Sequence, residues 1–455
     1  MKERLKMDNW GIAEFIDRHI GDMTELLKEL VRIPSIKAEE DGDMPYGRDV
    51  FRALKFTEGA ATNMGFETES FENRICKVSY GGKDKKLGIL CHLDVVDVNE
   101  PKWDTPPFEP IVKEGIIYGR GVLDNKGPGV AALYALYAVK QLKIPLKYGV
   151  GLYFGTDEEN GMSDFAEYLK KHSLPKNIFV PDACFPVGVT EKGSVQLLGT
   201  AKVVSDKILS VSTDNDINII PDMATVKLKG VTDCEIDSVL GNVNDIKYEI
   251  ETENGIKTVT VYGKSAHSAG PQNGINAATA LLILLAQIGG SDSVFEKIAK
   301  RFKHGTFFGE GFGFTAQQTT LSLNGLNFGD NRLEIKTDSR IFYTESAERI
   351  TEKIIAETPL EMSVICMKEP HAVSRDLEIV QTLQKIYKEQ TGRNDEPYDM
   401  DAGTYAHMAK DAVIFGGVLY GDGGCNAHSE NECYSLETLA IAAKMFAKAI
   451  AEICG

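Results

Sequence analysis

The chain has 455 residues, 43% hydrophobic and 26% charged, which is too long for one ordinary core and has the composition of a soluble globular protein. Against 67 Asp and Glu stand 50 Lys and Arg, a formal charge of −17 with no long basic run, which excludes nucleic acid or an anionic membrane as the expected partner. Its eight cysteines form no CxxC pair, so neither a zinc ribbon nor a disulfide framework is signalled.

From Ile12 to Val31 apolar residues recur at helical spacing (Ile12, Phe15, Ile16, Ile20, Met23, Leu27, Leu30), and Pro34 ends the run. This start lacks the uninterrupted apolar core of a secretion signal, and no apolar stretch is long enough to span a bilayer, so a cytoplasmic chain is expected. From about 85 to 185, apolar strands alternate with helical segments. The reading is strand 87–93, helix 127–142, strand 148–154, helix 163–172 with Ser163 as its N-cap, and a short strand in "NIFVPDA". Such alternation predicts an α/β layer, a mostly parallel sheet flanked by helices. Residues 187–380 change texture to β-type alternation with Asn-Gly and Asp-Asn turn signals around one helix, "INAATALLILLAQIG", which predicts a separate α+β domain. Residues 381–455 return to helices around the apolar "DAVIFGGVLYGDG". The predicted plan is an α/β domain in two segments, 1–186 and 381–455, interrupted by an inserted α+β domain at 187–380.

Five places break the hydrophobic pattern in the same way. "KLGILCHLDVVDV" runs a buried strand into His92, Asp94 and Asp97, and "IIYGRGVLDNKGPG" sets Asp124 just before a Gly-Pro helix start. "GVGLYFGTDEENG" ends in Asp157, Glu158 and Glu159, "NIFVPDACFP" in Asp182, and "GDGGCNAHSENE" places His428 in a glycine-rich loop. Singly, each is better explained as a turn or solvated surface. In an open α/β sheet, however, the carboxyl ends of the strands share one edge, so these segments can converge there. Crowded carboxylates repel, and a cation offsets that cost. Mixed His and Asp/Glu ligation suits zinc, with manganese or cobalt as substitutes, and this many groups can hold two ions if one carboxylate bridges them.

The motifs "HLDVVDV", "GRGVLDNKGP", "FGTDEENG", "PDACFPVGVTEKG" and "AHSENE", in this order and over nearly the whole chain, resemble the dinuclear zinc peptidases that include aminoacylases, G-type carboxypeptidases and dipeptidases, with greatest similarity to the bacterial dipeptidase V branch. The resemblance implies that the α/β segments form the catalytic domain and the insert a lid. It implies two zinc ions, one held by His92 and Asp182, the other by Glu159 and His428, with Asp124 bridging. Asp94 would orient the His92 imidazole, and Glu158 would be the general base. On the insert, His267 in "YGKSAHSAGPQNG" would stabilise the oxyanion. Arg340 in "KTDSRIFYT" and Asn218 in "DINIIPDMA" would bind the substrate's terminal carboxylate, and Gly403 and Thr404 in "AGTYAH" would line its pocket. The activity implied is hydrolysis of small dipeptides with a free amino terminus, by a monomer. Its rivals are deacylation of N-acyl amino acids on the same metals, and a silent binding protein on the same fold, which would have little reason to keep Glu158. Asn125 departs from the family's Asp-Asp-Lys-Gly, in which the peptide at this pair is cis, and Asp97 and Asn160 replace a common proline and serine. Cys91, Cys184 and Cys425 adjoin the motifs but are read as structural.

Overall fold

The structure is a computed structural model and describes residues 11–213, 215–313, 319–419 and 426–455. The chain forms two compact units, one of residues 1–190 and 372–455, the other of 191–371. The crossings lie at these points rather than at 186/187 and 380/381 because the strand Gly188–Glu191 is hydrogen-bonded beside Ala412–Ile414 in the first unit's sheet.

In the first unit, Gly149–Gly155, Lys85–His92, Asn177–Val180 and Ala412–Ile414 run parallel in that spatial order. Antiparallel strands extend this core: Ile75–Gly81 joins one side and Gly188–Glu191 the other. The sheet is therefore parallel where it is fully covered and mixed at its margins. Gly149–Gly155 is buried at every position and reads as a continuous apolar run, as a strand with both faces covered must. One face carries the helices Ile12–Val31, Lys126–Gln141 and Leu436–Cys454, packed against one another. Lys126–Gln141 is apolar nearly all round because it lies between those neighbours and the sheet. The short helix Ser163–Leu169 packs Phe165 and Tyr168 in a separate core on the sheet. Ser163 is its first residue rather than its cap, and its hydroxyl donates to Asp157 instead.

The second unit is an eight-stranded antiparallel sheet, with Glu361–Lys368 at one edge and Lys247–Glu253 at the other. Its helices pack on that sheet through one apolar core in which Ala277–Gly289 contributes Leu281, Leu282, Leu284 and Leu285. Asn276 starts that helix by accepting the Thr279 amide at 3.1 Å. No helix among the described residues is long and apolar enough to cross a membrane.

Candidate metal centre

The parallel core delivers charged residues to one edge of the sheet. His92 is the last residue of its strand and lies level with Gly155, so the turn Asp157–Glu158–Glu159 emerges directly beside it. Asp182 follows the next parallel strand, Asn177–Val180, and Asp124 precedes the helix Lys126–Gln141. His428 lies beyond the strand Gly417–Leu419; the glycine-rich part of its loop and Cys425 lie outside the described residues.

These residues meet. The His92 Nε2 is 2.9 Å from Asp124 Oδ1 and 3.6 Å from Asp182 Oδ2. The other Asp124 oxygen, Oδ2, is 3.1 Å from His428 Nε2, which in turn is 2.9 Å from Glu159 Oε2. Asp124 thus presents one oxygen to each histidine. His92, Asp124 and Glu159 offer ligand atoms all within 4.8 Å of one another, as do His92, Glu158 and Asp182. His92 is buried, whereas the His428 side chain is 55% exposed, so the edge opens on the His428 side. The metal-capable groups among the described residues include no cysteine, and Cys91 is buried.

The electrostatics of these side chains show what such a cluster requires. Burial, reinforced by Asp124, pushes the Glu159 carboxyl up to about 7. Burial likewise raises Asp182, again with Asp124, and raises Glu158 well above its ordinary value. Burial also works against charge on His92, but Asp182, Asp124 and Asp94 outweigh it and hold the ring well above its usual range. Hydrogen bonds to Asp124 and Glu159 push His428 up to about 11. Protons stand in for the positive charge that these carboxylates require. The donor set, imidazole nitrogen with carboxylate oxygen arranged around a shared carboxylate, fits two divalent cations.

Neighbouring groups fix this geometry, and several escaped sequence reasoning. The His92 Nδ1 lies 2.9 Å from the main-chain carbonyl of Asp94, which orients the ring so that Nε2 faces the cluster. The expected carboxylate partner is farther, Asp94 Oδ1 being 3.5 Å from Nδ1. That carboxylate instead accepts the amides of Glu158 at 3.2 Å and Glu159 at 3.0 Å, holding the turn that carries both. Asn125, whose peptide with Asp124 is cis, donates from Nδ2 to Pro181 O at 2.7 Å and Asp182 Oδ1 at 2.8 Å. An aspartate there would set a second negative charge against Asp182. Glu432, fully buried, accepts the amides of Leu123 at 2.8 Å and Asp124 at 3.1 Å on one oxygen, and Gly121 N and Arg120 Nη1 on the other. It thereby ties the Asp124 loop to the segment bearing His428. Its signal was its place four residues after that histidine, inside "AHSENE". Asp164 accepts the amides of Thr156 and Asp157 and the hydroxyl of Tyr405, anchoring the next turn.

The remaining candidates are placed as follows. Thr404 is buried, and its hydroxyl accepts the Ala406 amide at 3.1 Å; Gly403 beside it is exposed next to the His407 ring. In the second unit, Asn218, His267 and Arg340 lie near one another in the fold. His267 pairs with Ile219 in a two-residue ladder, its Nδ1 accepts the Ala269 amide at 3.1 Å, and Ser268 N donates to Asn218 O at 2.9 Å. Arg340 Nη2 donates to Asp338 Oδ2 at 3.0 Å.

Residues 88–452 match the model of peptidase family M20/M25/M40. The chain is 30% identical to YtjP of Bacillus subtilis (strain 168), a protein provisionally named a dipeptidase, over 98% of this chain and 99% of that one. It is 29% identical to a protein of Staphylococcus epidermidis, likewise provisionally named a dipeptidase, over 95% and 97%. Among solved structures, the Saccharomyces cerevisiae di-peptidase Dug1p matches with a TM-score of 0.61 at 15% identity, over 98% of this chain and 99% of that one. Human carnosine dipeptidase 1 matches at 0.60 and 16%, over 97% and 99%. These likenesses share the two-unit fold of parallel-core sheet and inserted antiparallel sheet. The chain belongs to peptidase family M20/M25/M40, and it is a metallopeptidase with a dinuclear metal-binding site.

Proposed function

We propose that the protein hydrolyses dipeptides with a free amino terminus, using two zinc ions for which manganese or cobalt can substitute. The observation that carries the metal arrangement is the division of Asp124, one oxygen 2.9 Å from His92 and the other 3.1 Å from His428. On this reading His92 and Asp182 would hold one ion and Glu159 and His428 the other, with Asp124 shared between the two. When bound, the ions supply a water of lowered pKa and polarise the scissile carbonyl. Glu158 takes a proton from the attacking water and returns it to the departing amine. Burial, which raises its pKa well above that of a surface glutamate, suits a carboxyl that must hold a proton between those two steps. Its Oε1 is buried without a hydrogen-bond partner, which leaves that oxygen open to a water.

Substrate recognition rests on chemistry and motif likeness. His267 stabilises the oxyanion, and Arg340, with Asn218 beside it, holds the substrate's terminal carboxylate, to which a guanidinium fork is matched. The provisional dipeptidase names of the two bacterial relatives support the substrate class. The test is hydrolysis of Ala-Ala, β-Ala-His, Leu-Gly and their N-acetylated forms by zinc- or manganese-loaded protein, with Glu158→Ala as control. Cleavage of the free-amine peptides alone, lost in the variant, is expected. Cleavage of the acetylated set alone would make the enzyme a deacylase, and no turnover despite bound metal would overturn the catalytic reading.

A further inference from the structure

Strand Arg332–Ile341 sets five charged residues on one face, Arg332, Glu334, Lys336, Asp338 and Arg340. Of these Asp338 is fully buried and adjoins Arg340, whose side chain is 19% exposed. A buried carboxylate is costly unless a partner and hydrogen bonds hold it. Arg340 Nη2 is that partner, at 3.0 Å. Burial pushes the Asp338 carboxyl above its ordinary range, while Arg340, Ser268 and Gln196 pull against that shift.

The groups around this pair form one connected set. The Arg340 amide donates to Thr320 Oγ1 at 3.2 Å, and that hydroxyl donates to the carbonyl of Ser268 at 2.9 Å. Ser268 Oγ accepts Asn324 Nδ2 at 2.6 Å, and the same Asn324 amide reaches Ile219 O at 2.9 Å. Ser322 donates to Asn324 Oδ1 and lies 3.3 Å from Asp338 O. Ser268 follows His267 directly, and Ile219 follows Asn218. The three residues assigned to the substrate are thus fastened to one buried polar network, in which Asp338 and Arg340 are the charged members. A structural ion pair alone would be poorly placed here, because an apolar pair of similar volume would serve stability as well.

We propose that Asp338 is a positioning residue: its carboxylate holds the Arg340 guanidinium in one orientation, so that the opposite edge of the fork is presented to the terminal carboxylate of the substrate. This rests on the reading of Arg340 given above. One nitrogen is committed to Asp338, which leaves the arginine's reach and rotation fixed before substrate arrives. Thr320 and Asn324, on the neighbouring strand Thr320–Gly329, bond to the His267 segment, and Thr320 also accepts the Arg340 amide, so the two substrate-facing groups are held through one strand.

The test is a double-mutant cycle on the full-length, metal-loaded enzyme with Asp338→Asn, Arg340→Ala and the pair. The substrate is whichever of Ala-Ala or N-acetyl-alanine the enzyme cleaves, since both carry the terminal carboxylate. Asp338→Asn is expected to raise KM about fivefold or more with kcat within about twofold, and to change kcat/KM by less than about 1.5-fold once Arg340 is alanine. Equal losses in both backgrounds, or an unchanged KM in the single variant, would overturn the inference. Should Asp338→Asn not fold, Asp338→Glu, which keeps the charge but moves it by one methylene, is read in the same two backgrounds against the same criteria. If Arg340→Ala alone leaves KM unchanged, it is the reading of Arg340 that fails, and the two failures are distinguishable.

Discussion

The two units carry buried polar clusters of opposite kinds. At the edge of the parallel core, Asp124, Glu158, Glu159 and Asp182 crowd around two histidines; the histidines hold Asp124 ionised, and Glu158, Glu159 and Asp182 are pushed toward their protonated forms. In the second unit, Asp338 meets Arg340, and hydroxyls and amides extend the network from there, while Arg340 Nε is buried without a hydrogen-bond partner. One cluster gathers like charges around two histidines; the other holds one pair of opposite charges among hydrogen-bonded side chains. The difference teaches where each part of the chemistry resides. Carboxylates that repel one another are gathered at the edge where cations would relieve the cost, whereas the second unit meets its buried carboxylate with an arginine of its own.

The largest expected effect separates chemistry from assembly within the first cluster. Glu158→Gln should lower kcat about a thousandfold, within the range for loss of a general base, while two metal equivalents still bind. Isothermal titration alongside steady-state kinetics reads both. Loss of metal together with activity would make Glu158 a ligand, which its proximity to His92 and Asp182 makes a meaningful alternative outcome. Next, Glu432→Gln should weaken metal affinity about 10- to 100-fold, because it accepts the Asp124 amide without touching the cluster itself. Competition with a chromogenic chelator measures it, and unchanged affinity would reduce Glu432 to a core anchor.

A third prediction concerns pH in the metal-free protein. Glu159 titrates at about 7 in the folded chain against an ordinary 4.5, and His428 at about 11 against 6.5. Both groups therefore keep protons in the folded state that the unfolded chain has released. Stability from this source is fullest below the ordinary values and is lost as pH rises through the folded ones. The Tm of metal-free protein should fall from about pH 5 to about pH 9, Glu159→Gln should flatten the lower half of that slope, and excess zinc should abolish it. A rising metal-free Tm over this window would contradict the proton-for-cation account. The smallest effect is a control in the other unit. Asn276→Ala removes a helix cap and should cost about 1 kcal/mol, read by denaturant melts, with metal affinity unchanged.

The metal cluster was legible in the sequence because residue type and strand context together mark it. A histidine or carboxylate at the end of an apolar run has few uses, and the parallel core then sends every such end to one edge. The pairings that hold those residues were not legible, although Glu432 itself stands inside "AHSENE". Glu432 bonds the Asp124 amide across 308 positions, and Tyr405 bonds Asp164 across 241, so nothing local marks either pairing. The family resemblance implied that Asp94 orients the imidazole; the nearer contact to Nδ1 is its main-chain oxygen, with the carboxylate at 3.5 Å, a distinction that only the folded turn makes. Asp338 stood two residues before Arg340 in a quoted motif and still carried no signal, since exposure and partner decide its meaning and both are properties of the folded sheet.

The central claim is that Asp124 bridges two cations. An anomalous difference map from zinc-loaded crystals tests it most directly. The account predicts two peaks about 3.5–4 Å apart, one beside each Asp124 oxygen, with His92 and Asp182 at one and Glu159 and His428 at the other. A single peak, or two peaks of which Asp124 touches only one, would contradict it.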